Sequence, residues 1–190
     1  MRTTEAGQSP LLLLDVIDVL EARRVPYAII GAVAASFYGV VRTSMDADAL
    51  IALPPGRADA KPLVAVLQEV GLQVVHRRGE TGDPIGAVLN VEDRFGNRVD
   101  LLMSIRGMTD AVFARTVETT FMGARIQLIG LEDFIAMKIF AGSPKDLSDA
   151  TGALQVSAKR VDRTRLKALV RPYGTRALST LESLLQGRQP

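Results

Sequence analysis

The chain has 190 residues, of which 47% are hydrophobic and 23% are charged, a composition typical of a folded globular protein rather than a disordered segment. It contains no cysteine and only one histidine, His76. This excludes disulfides, thiolate metal sites and a cysteine nucleophile, and it argues against a histidine-rich metal site. Any chemistry must therefore rely on carboxylates, lysine, arginine and hydroxyl groups.

The net charge of +2 is unevenly distributed. Residues 159–190 contain eight basic and two acidic residues, a net charge of +6 that leaves −4 for the rest of the chain. Two interpretations are open for this basic segment: a surface that binds RNA phosphates, or a solvated helix face. Tyr173 is its one aromatic residue, so stacking on bases is not indicated.

In chain order, the first predicted element is an amphipathic helix over residues 11–23. Its apolar run, 11–14, is far shorter than the roughly 20 residues needed to cross a bilayer, and acidic residues follow it at once. We therefore expect a cytoplasmic protein with no membrane partner. A buried strand over 27–30 and a short helix over 32–39 come next. That helix opens at Gly31, where free backbone N–H groups favour phosphate oxygens.

Asp46 and Asp48 lie within the next apolar strand. Because side chains alternate faces along a strand, the two carboxylates project to one side, about 6.6 Å apart along the backbone. Their charges repel, and no cation on the same strand offsets this repulsion. A divalent cation would resolve the conflict.

A third carboxylate, Asp100, lies in a predicted β-hairpin with its turn at 93–97. A lone acid in such a strand is usually a surface residue; a role for Asp100 beside the Asp46 and Asp48 strand is implied by the family resemblance given below.

After the Asp46 and Asp48 strand, which ends at Pro54-Pro55-Gly56, we predict a helix over 61–70, a strand over 72–76 and a loop over 77–84. The hairpin strands follow over 87–91 and 98–103. A short helix over 108–115 and a strand pair over 118–123 and 125–129 complete the chain up to residue 130.

The remainder of the chain is predicted to be helical, over 131–140, 146–156, 161–171 and 175–186. The expected fold class is therefore α/β (α+β), with a small mixed sheet flanked by helices. We expect residues 1–130 to form the α/β core, and residues 131–190 to form a C-terminal helical region that completes the active-site cleft.

The chain has a strand, then Gly31-Ala32, a short helix, the pair Arg42-Thr43 and Asp46-x-Asp48. This order resembles the nucleotidyltransferase fold of the DNA polymerase β superfamily. Within it, the chain resembles the small bacterial proteins typified by the AbiEii abortive-infection toxins. The resemblance covers about residues 25–155. It implies magnesium-dependent transfer of a nucleoside monophosphate from a nucleoside triphosphate (NTP), with two Mg²⁺ ions.

The resemblance also implies roles for individual residues. Asp46, Asp48 and Asp100 would be both catalytic residues and metal ligands, with Asp100 taking the acceptor's proton. Phosphate or nucleotide contacts would come from the residues Gly31, Ala32, Arg42, Thr43, Lys138 and Lys145. Asp149 would orient Lys138 or Lys145, whereas Asp146 would either support the site or cap its helix.

Two positions depart from the family pattern. Ala32 replaces a glycine or serine, so a hydroxyl donor to phosphate is absent and only backbone donors remain. Ala47 replaces a larger Ile or Leu between the two aspartates and is expected to loosen packing there. Both departures keep open the hypothesis of a weakened or catalytically silent member.

Three functions remain as hypotheses. The first is a toxin-like nucleotidyltransferase that modifies a tRNA or a protein, with the basic C-terminal helices binding RNA and a cognate antitoxin or toxin as partner. The second is adenylation of a small molecule such as an aminoglycoside or lincosamide. The third is a nucleotide-binding or antitoxin-like regulatory partner without activity.

Overall fold

A computed structural model describes residues 1–53 and 59–187. Over these residues, seven strands form one mixed sheet in the order β3-β4-β5-β2-β1-β7-β6. The pairs β2–β5 and β1–β7 are parallel, and the other neighbouring strands are antiparallel. The strands are β1 (Tyr27–Ile29), β2 (Asp46–Ile51), β3 (Gln73–Arg78), β4 (Ile85–Glu92), β5 (Arg98–Ile105), β6 (Val117–Phe121) and β7 (Ala124–Leu128).

Helices surround this sheet and form the end of the described chain. The α-helices are α1 (Ser9–Ala22), α2 (Gly31–Phe37), α3 (Lys61–Glu69), α4 (Leu131–Ala141), α5 (Pro144–Val156), α6 (Arg163–Val170) and α7 (Thr175–Leu185). Two 3₁₀ helices, Asp110–Arg115 and Arg171–Tyr173, connect longer elements. The α/β fold class predicted from the sequence is confirmed.

The alternation of residue types in β2 decides which face of the sheet is buried. Ala47 and Ala49 are at most 1% exposed and lie on the side where α1 packs against β2 and β5. Asp46 and Asp48 point to the opposite side and are half-buried. Burial of the apolar face therefore directs both carboxylates away from α1, towards the C-terminal helices and solvent.

The C-terminal helices share the hydrophobic core of the sheet. Phe134 of α4 is fully buried and packs against Tyr38, with 5.3 Å between ring centroids. The Tyr38 hydroxyl donates a hydrogen bond to the Ile129 carbonyl oxygen at the end of the sheet. The core continues from the sheet into α4, α5, α6 and α7. The division at residue 130 stays a prediction.

Several predicted boundaries differ from the structure. Arg77 and Arg78 belong to β3 and not to a loop, because they pair with β4 opposite Val88 and Ala87. The predicted helix over 108–115 is a 3₁₀ helix, and Arg171 begins another. The predicted strand end at Pro54-Pro55-Gly56 and the basic residue Arg188 lie outside the described residues. No helix in the described part of the chain combines the length and apolar character needed to cross a membrane.

Candidate active site

The parallel pairing of β2 with β5 brings the predicted acidic residues together. Asp48 lies directly opposite Asp100, and Asp46 lies opposite Arg98. Paired residues on neighbouring strands point to the same face, with about 4.8 Å between the strands. The Arg98 guanidinium forms an ion pair with Glu92, at 3.1 Å from Nε to Oε2. Three carboxylates from two strands thus share one face of the sheet.

Gly31, the first residue of α2, makes room for one of these carboxylates. A Cβ atom built on Gly31 would lie 1.9 Å from Oδ2 of Asp48, far inside contact distance. Gly31 also has φ +61°, a left-handed conformation that disfavours other residues. The glycine in the sequence motif therefore provides both the backbone turn and the space for Asp48.

The Asp48 carboxyl has an unusual electrostatic environment. Burial, followed by the nearby charges of Asp100 and Asp46, raises its pKa to about 6. The positive charges of Lys138 and Arg42 partly oppose this increase. A free carboxyl with a strongly perturbed pKa beside two others is typical of a functional site.

The residues on this face fit Mg²⁺ by their chemistry. Carboxylate oxygens are the ligands that Mg²⁺ prefers, and the mutual repulsion of Asp46, Asp48 and Asp100 is what a bound dication would relieve. Within the described ranges, no three His, Asp or Glu side chains form a ready-made metal cage. Mg²⁺ usually binds one or two carboxylates together with substrate phosphates, so a complete protein cage is not required.

Asn90 of β4 extends this row of polar residues, and the sequence analysis missed it. It lies opposite Asp100, and its amide Nδ2 donates a 2.7 Å hydrogen bond to Oδ1 of Asp100. The predicted hairpin contained the signal that could have found it. A turn centred on residues 93–97 pairs residue 92 with 98 and therefore residue 90 with 100.

A network of charged side chains lies close enough to Asp48 to affect its pKa. Arg42 Nε donates to Oδ2 of Asp149 at 3.2 Å, and Lys138 Nζ lies 2.9 Å from the same oxygen. Lys138 Nζ also contacts Oδ1 of Asp146 at 2.7 Å. The network thus joins the segment before β2 to α4 and α5. The sequence analysis grouped Lys138, Asp146 and Asp149 but did not predict that Arg42 contacts Asp149.

Lys138 is held inside this network and is only 6% exposed. With two carboxylate partners, its ammonium group contributes positive charge beside Asp48 from a fixed position. Burial raises the pKa of Asp146, but hydrogen bonds from Lys138 and Ser143 lower it overall. Ser143 is the N-cap of α5 and accepts from the Asp146 backbone N–H, so the suggestion that Asp146 caps the helix is wrong.

Two glycines allow the segment that carries Arg42 to lie directly on α5. A Cβ on Gly152 would lie 2.6 Å from Cγ2 of Val40, and one on Gly39 would lie 2.8 Å from Cγ1 of Val156. This close packing places Arg42, two residues after Val40, within reach of Asp149. Neither glycine was singled out in the sequence.

The remaining predicted residues lie at the rim or in the wall of the site. Lys145, in the first turn of α5, and Thr43, shortly before β2, are exposed. Ala32 is 8% exposed and lies within the first turn of α2. Their phosphate-binding roles remain predictions.

Comparisons with known proteins give a likeness in structure alone. No protein-family model matches the chain, and no curated protein sequence matches it either. Among solved structures, it is similar to ANT(2'')-Ia in complex with adenylyl-2''-tobramycin. That match has a TM-score of 0.58 and 15% identity, and covers 86% of this chain and 95% of the other.

A second similar structure is the lincosamide antibiotic adenylyltransferase LnuA with lincomycin bound. The TM-score is 0.50 and the identity 11%, with 81% of this chain and 99% of the other covered. At these identities the likeness establishes the fold and not the reaction or the substrate. The chain has the nucleotidyltransferase fold.

Proposed function

We propose that this protein is a Mg²⁺-dependent nucleotidyltransferase that transfers a nucleoside monophosphate from an NTP to an acceptor. The observation that carries the proposal is the pairing of Asp48 with Asp100 across β2 and β5, with Asp46 on the same face. The fold shared with the antibiotic adenylyltransferases supports it.

In the proposed site, Asp46, Asp48 and Asp100 hold the metal ions. Bound Mg²⁺ supplies neutralisation of the triphosphate charge and activation of the attacking oxygen. The acceptor oxygen forms a bond to the α-phosphorus as the bond to the pyrophosphate oxygen breaks, and pyrophosphate leaves with that electron pair. The Asp100 carboxylate takes the proton of the acceptor hydroxyl.

Arg42 is one of the cations proposed to contact the triphosphate, and it lies close enough to Asp48 to oppose the rise of that residue's pKa. Its Nε is bound to Asp149, while its Nη1 is buried without a hydrogen-bond partner within the described residues. A phosphate oxygen would satisfy this donor in a charge-assisted hydrogen bond. Lys145 is exposed in the first turn of α5 and can add a second contact, whereas Lys138 acts from its buried position.

Two classes of acceptor are proposed, each with its own support. The net charge of +6 over residues 159–190 favours RNA, such as a tRNA end, since lysine and arginine neutralise phosphates. An RNA acceptor corresponds to the hypothesis of an AbiEii-like, toxin-type enzyme with a cognate partner. The antibiotic adenylyltransferases that share the fold favour a small hydroxylated molecule.

The test of the proposal is calorimetric titration of each NTP into the protein, with and without Mg²⁺. We expect metal-dependent binding of at least one NTP that is lost in Asp46→Ala and Asp48→Ala. The control is Asp110→Ala, which removes an exposed carboxylate from a different part of the surface. Binding that is independent of metal, or unchanged in both site variants, would contradict the site assignment.

The acceptor is then identified with labelled NTP, using total tRNA in one reaction and aminoglycosides or lincosamides in another. If RNA is the acceptor, its affinity should fall steeply between 50 and 200 mM salt, because each neutralised phosphate releases counterions. A flat salt response would remove the RNA version of the proposal. NTP binding without transfer to any acceptor would instead favour a regulatory partner.

A further inference from the structure

We propose that Asn90 is a positioning residue that fixes the orientation of the Asp100 carboxylate for metal binding, an inference that rests on the function proposed above. Its Nδ2 donates a 2.7 Å hydrogen bond to Oδ1 of Asp100. Within the described residues, this is the one side-chain hydrogen bond to Asp100. Oδ2 of Asp100 is thereby left available for a metal ion.

The backbone around Asn90 is rigid enough for such a role. Asn90 lies in β4, which pairs with β3 on one side and with β5 on the other. The residues before and after it, Leu89 and Val91, are at most 1% exposed. A residue fixed by two neighbouring strands can hold its amide in one place, which a loop residue cannot do as accurately.

The chemistry of the hydrogen bond fixes which way the amide faces. An ionised carboxylate only accepts hydrogen bonds, so Asn90 must present its NH₂ group and not its carbonyl oxygen to Asp100. The carbonyl oxygen Oδ1 is consequently buried without a partner within the described residues. An unsatisfied buried acceptor costs stability. Asparagine at this position is therefore better explained by its donor to Asp100 than by a contribution to folding.

The position of Asp100 makes this restraint effective. Asp100 lies between Asn90 of β4 and Asp48 of β2 in one row across the sheet. Repulsion from Asp48 on one side would otherwise turn the Asp100 carboxylate away from the shared face. The hydrogen bond from the opposite side holds one oxygen, so the carboxylate keeps a single orientation.

The test measures metal binding directly, by electron paramagnetic resonance of Mn²⁺ with the NTP that wild type binds. Asn90→Leu removes the donor at similar volume, and Asn90→Ala is a second removal that adds no bulk to the packing. Loss of an outer hydrogen bond to a metal ligand typically weakens metal binding about 10- to 100-fold. We expect a weakening in this range for both variants, and partial recovery in Asn90→Gln, which keeps the amide.

The control variant is Val75→Thr. Val75 pairs with Asn90 from β3 and is 55% exposed, so it lies in the same row but one strand further from Asp100. Its Mn²⁺ affinity should equal that of wild type. We also expect the melting temperature of the Asn90 variants to stay within a few degrees of the wild-type value.

The outcomes separate this inference from the function on which it rests. If wild type binds no Mn²⁺ with any NTP, both are overturned. If wild type binds but Asn90→Leu and Asn90→Ala bind equally well, the inference alone is overturned. It is also overturned if both variants unfold at much lower temperature while their folded fraction binds Mn²⁺ as wild type does, since Asn90 would then act through stability.

Discussion

The carboxylate of Asp48 occupies the space in which a side chain on Gly31 would begin. A Cβ at Gly31 would lie 1.9 Å from Oδ2 of Asp48. This relationship couples the glycine at the start of α2 to the acidic strand 17 positions later in the sequence. The glycine motif and the Asp-x-Asp motif are therefore two parts of one steric arrangement.

We predict that Gly31→Ala abolishes metal-dependent NTP binding, because the new methyl group must displace the Asp48 carboxylate. The variant should also lose stability, since a non-glycine residue in the left-handed region costs roughly 1–2 kcal/mol. Calorimetric titration and thermal melting measure the two effects.

The matched control is Gly71→Ala. Gly71 also has a left-handed φ, +89°, but no atom lies within 4 Å of a Cβ placed there. Gly71→Ala should lose a similar amount of stability from the left-handed backbone conformation, while NTP binding stays intact. Equal loss of binding in both variants would show that backbone strain, and not the displacement of Asp48, is responsible.

The raised pKa of Asp48 predicts a pH-dependent stability. Its pKa is about 6 in the folded protein and near 3.9 when unfolded, so the folded state binds the proton more tightly. The stabilisation is fully present below about pH 4 and is lost as the pH rises through 6. In metal-free buffer, wild type should therefore lose up to about 3 kcal/mol from this group over that interval.

Asp48→Asn lacks this titration and should be more stable than wild type at pH 7. The difference in the free energy of unfolding should be smaller at pH 4. Urea unfolding at pH 4, 5, 6 and 7 measures the difference. The comparison with Asp110→Asn corrects for loss of an exposed carboxylate. A difference between Asp48→Asn and wild type that does not change with pH would rule out the titration of Asp48 as its cause.

Removing Lys138 should destabilise the protein strongly. Asp149 is 2% exposed and would lose one of its two cationic partners, and breaking a buried pair from one side costs about 3–5 kcal/mol. We expect a loss of this order in the free energy of unfolding of Lys138→Met, measured in urea. Lys167→Met, which breaks the exposed Lys167–Glu182 pair, should lose less than about 1 kcal/mol. Similar losses in the two variants would contradict a structural role for the buried network.

The close contact between Gly152 and Val40 predicts that Gly152→Ala weakens NTP binding. Alanine favours the helix by about 1 kcal/mol over glycine, but its Cβ would lie 2.6 Å from Val40 and shift the segment that carries Arg42. Combining it with Val40→Ala creates room for the methyl group and should restore binding. A double-mutant cycle on NTP affinity measures the coupling, and additive effects would show that the two residues do not act together.

The linear order of the secondary structure could be predicted from the sequence because its signals are local. Alternation around Asp46 and Asp48 and the turn at 93–97 correctly indicated β2 and the β4–β5 hairpin. The end of β3 was predicted incorrectly: the strand was expected to end at residue 76 but continues to Arg78. Arg77 and Arg78 have no apolar pattern of their own and are part of the strand because they pair with β4. Pairing between strands overrides local polarity at such an edge.

The sequence by itself determined that two carboxylates share one face, since a strand alternates with a period of two residues. Only the tertiary structure decided that Asp100 lies opposite Asp48, because the order of β2 and β5 in the sheet depends on how α1 and the other helices cover it. The contact of Arg42 with Asp149, 107 residues apart, and the fit of Asp48 against Gly31 also arise from packing. Such contacts depend on the whole core, which no local pattern in the sequence specifies.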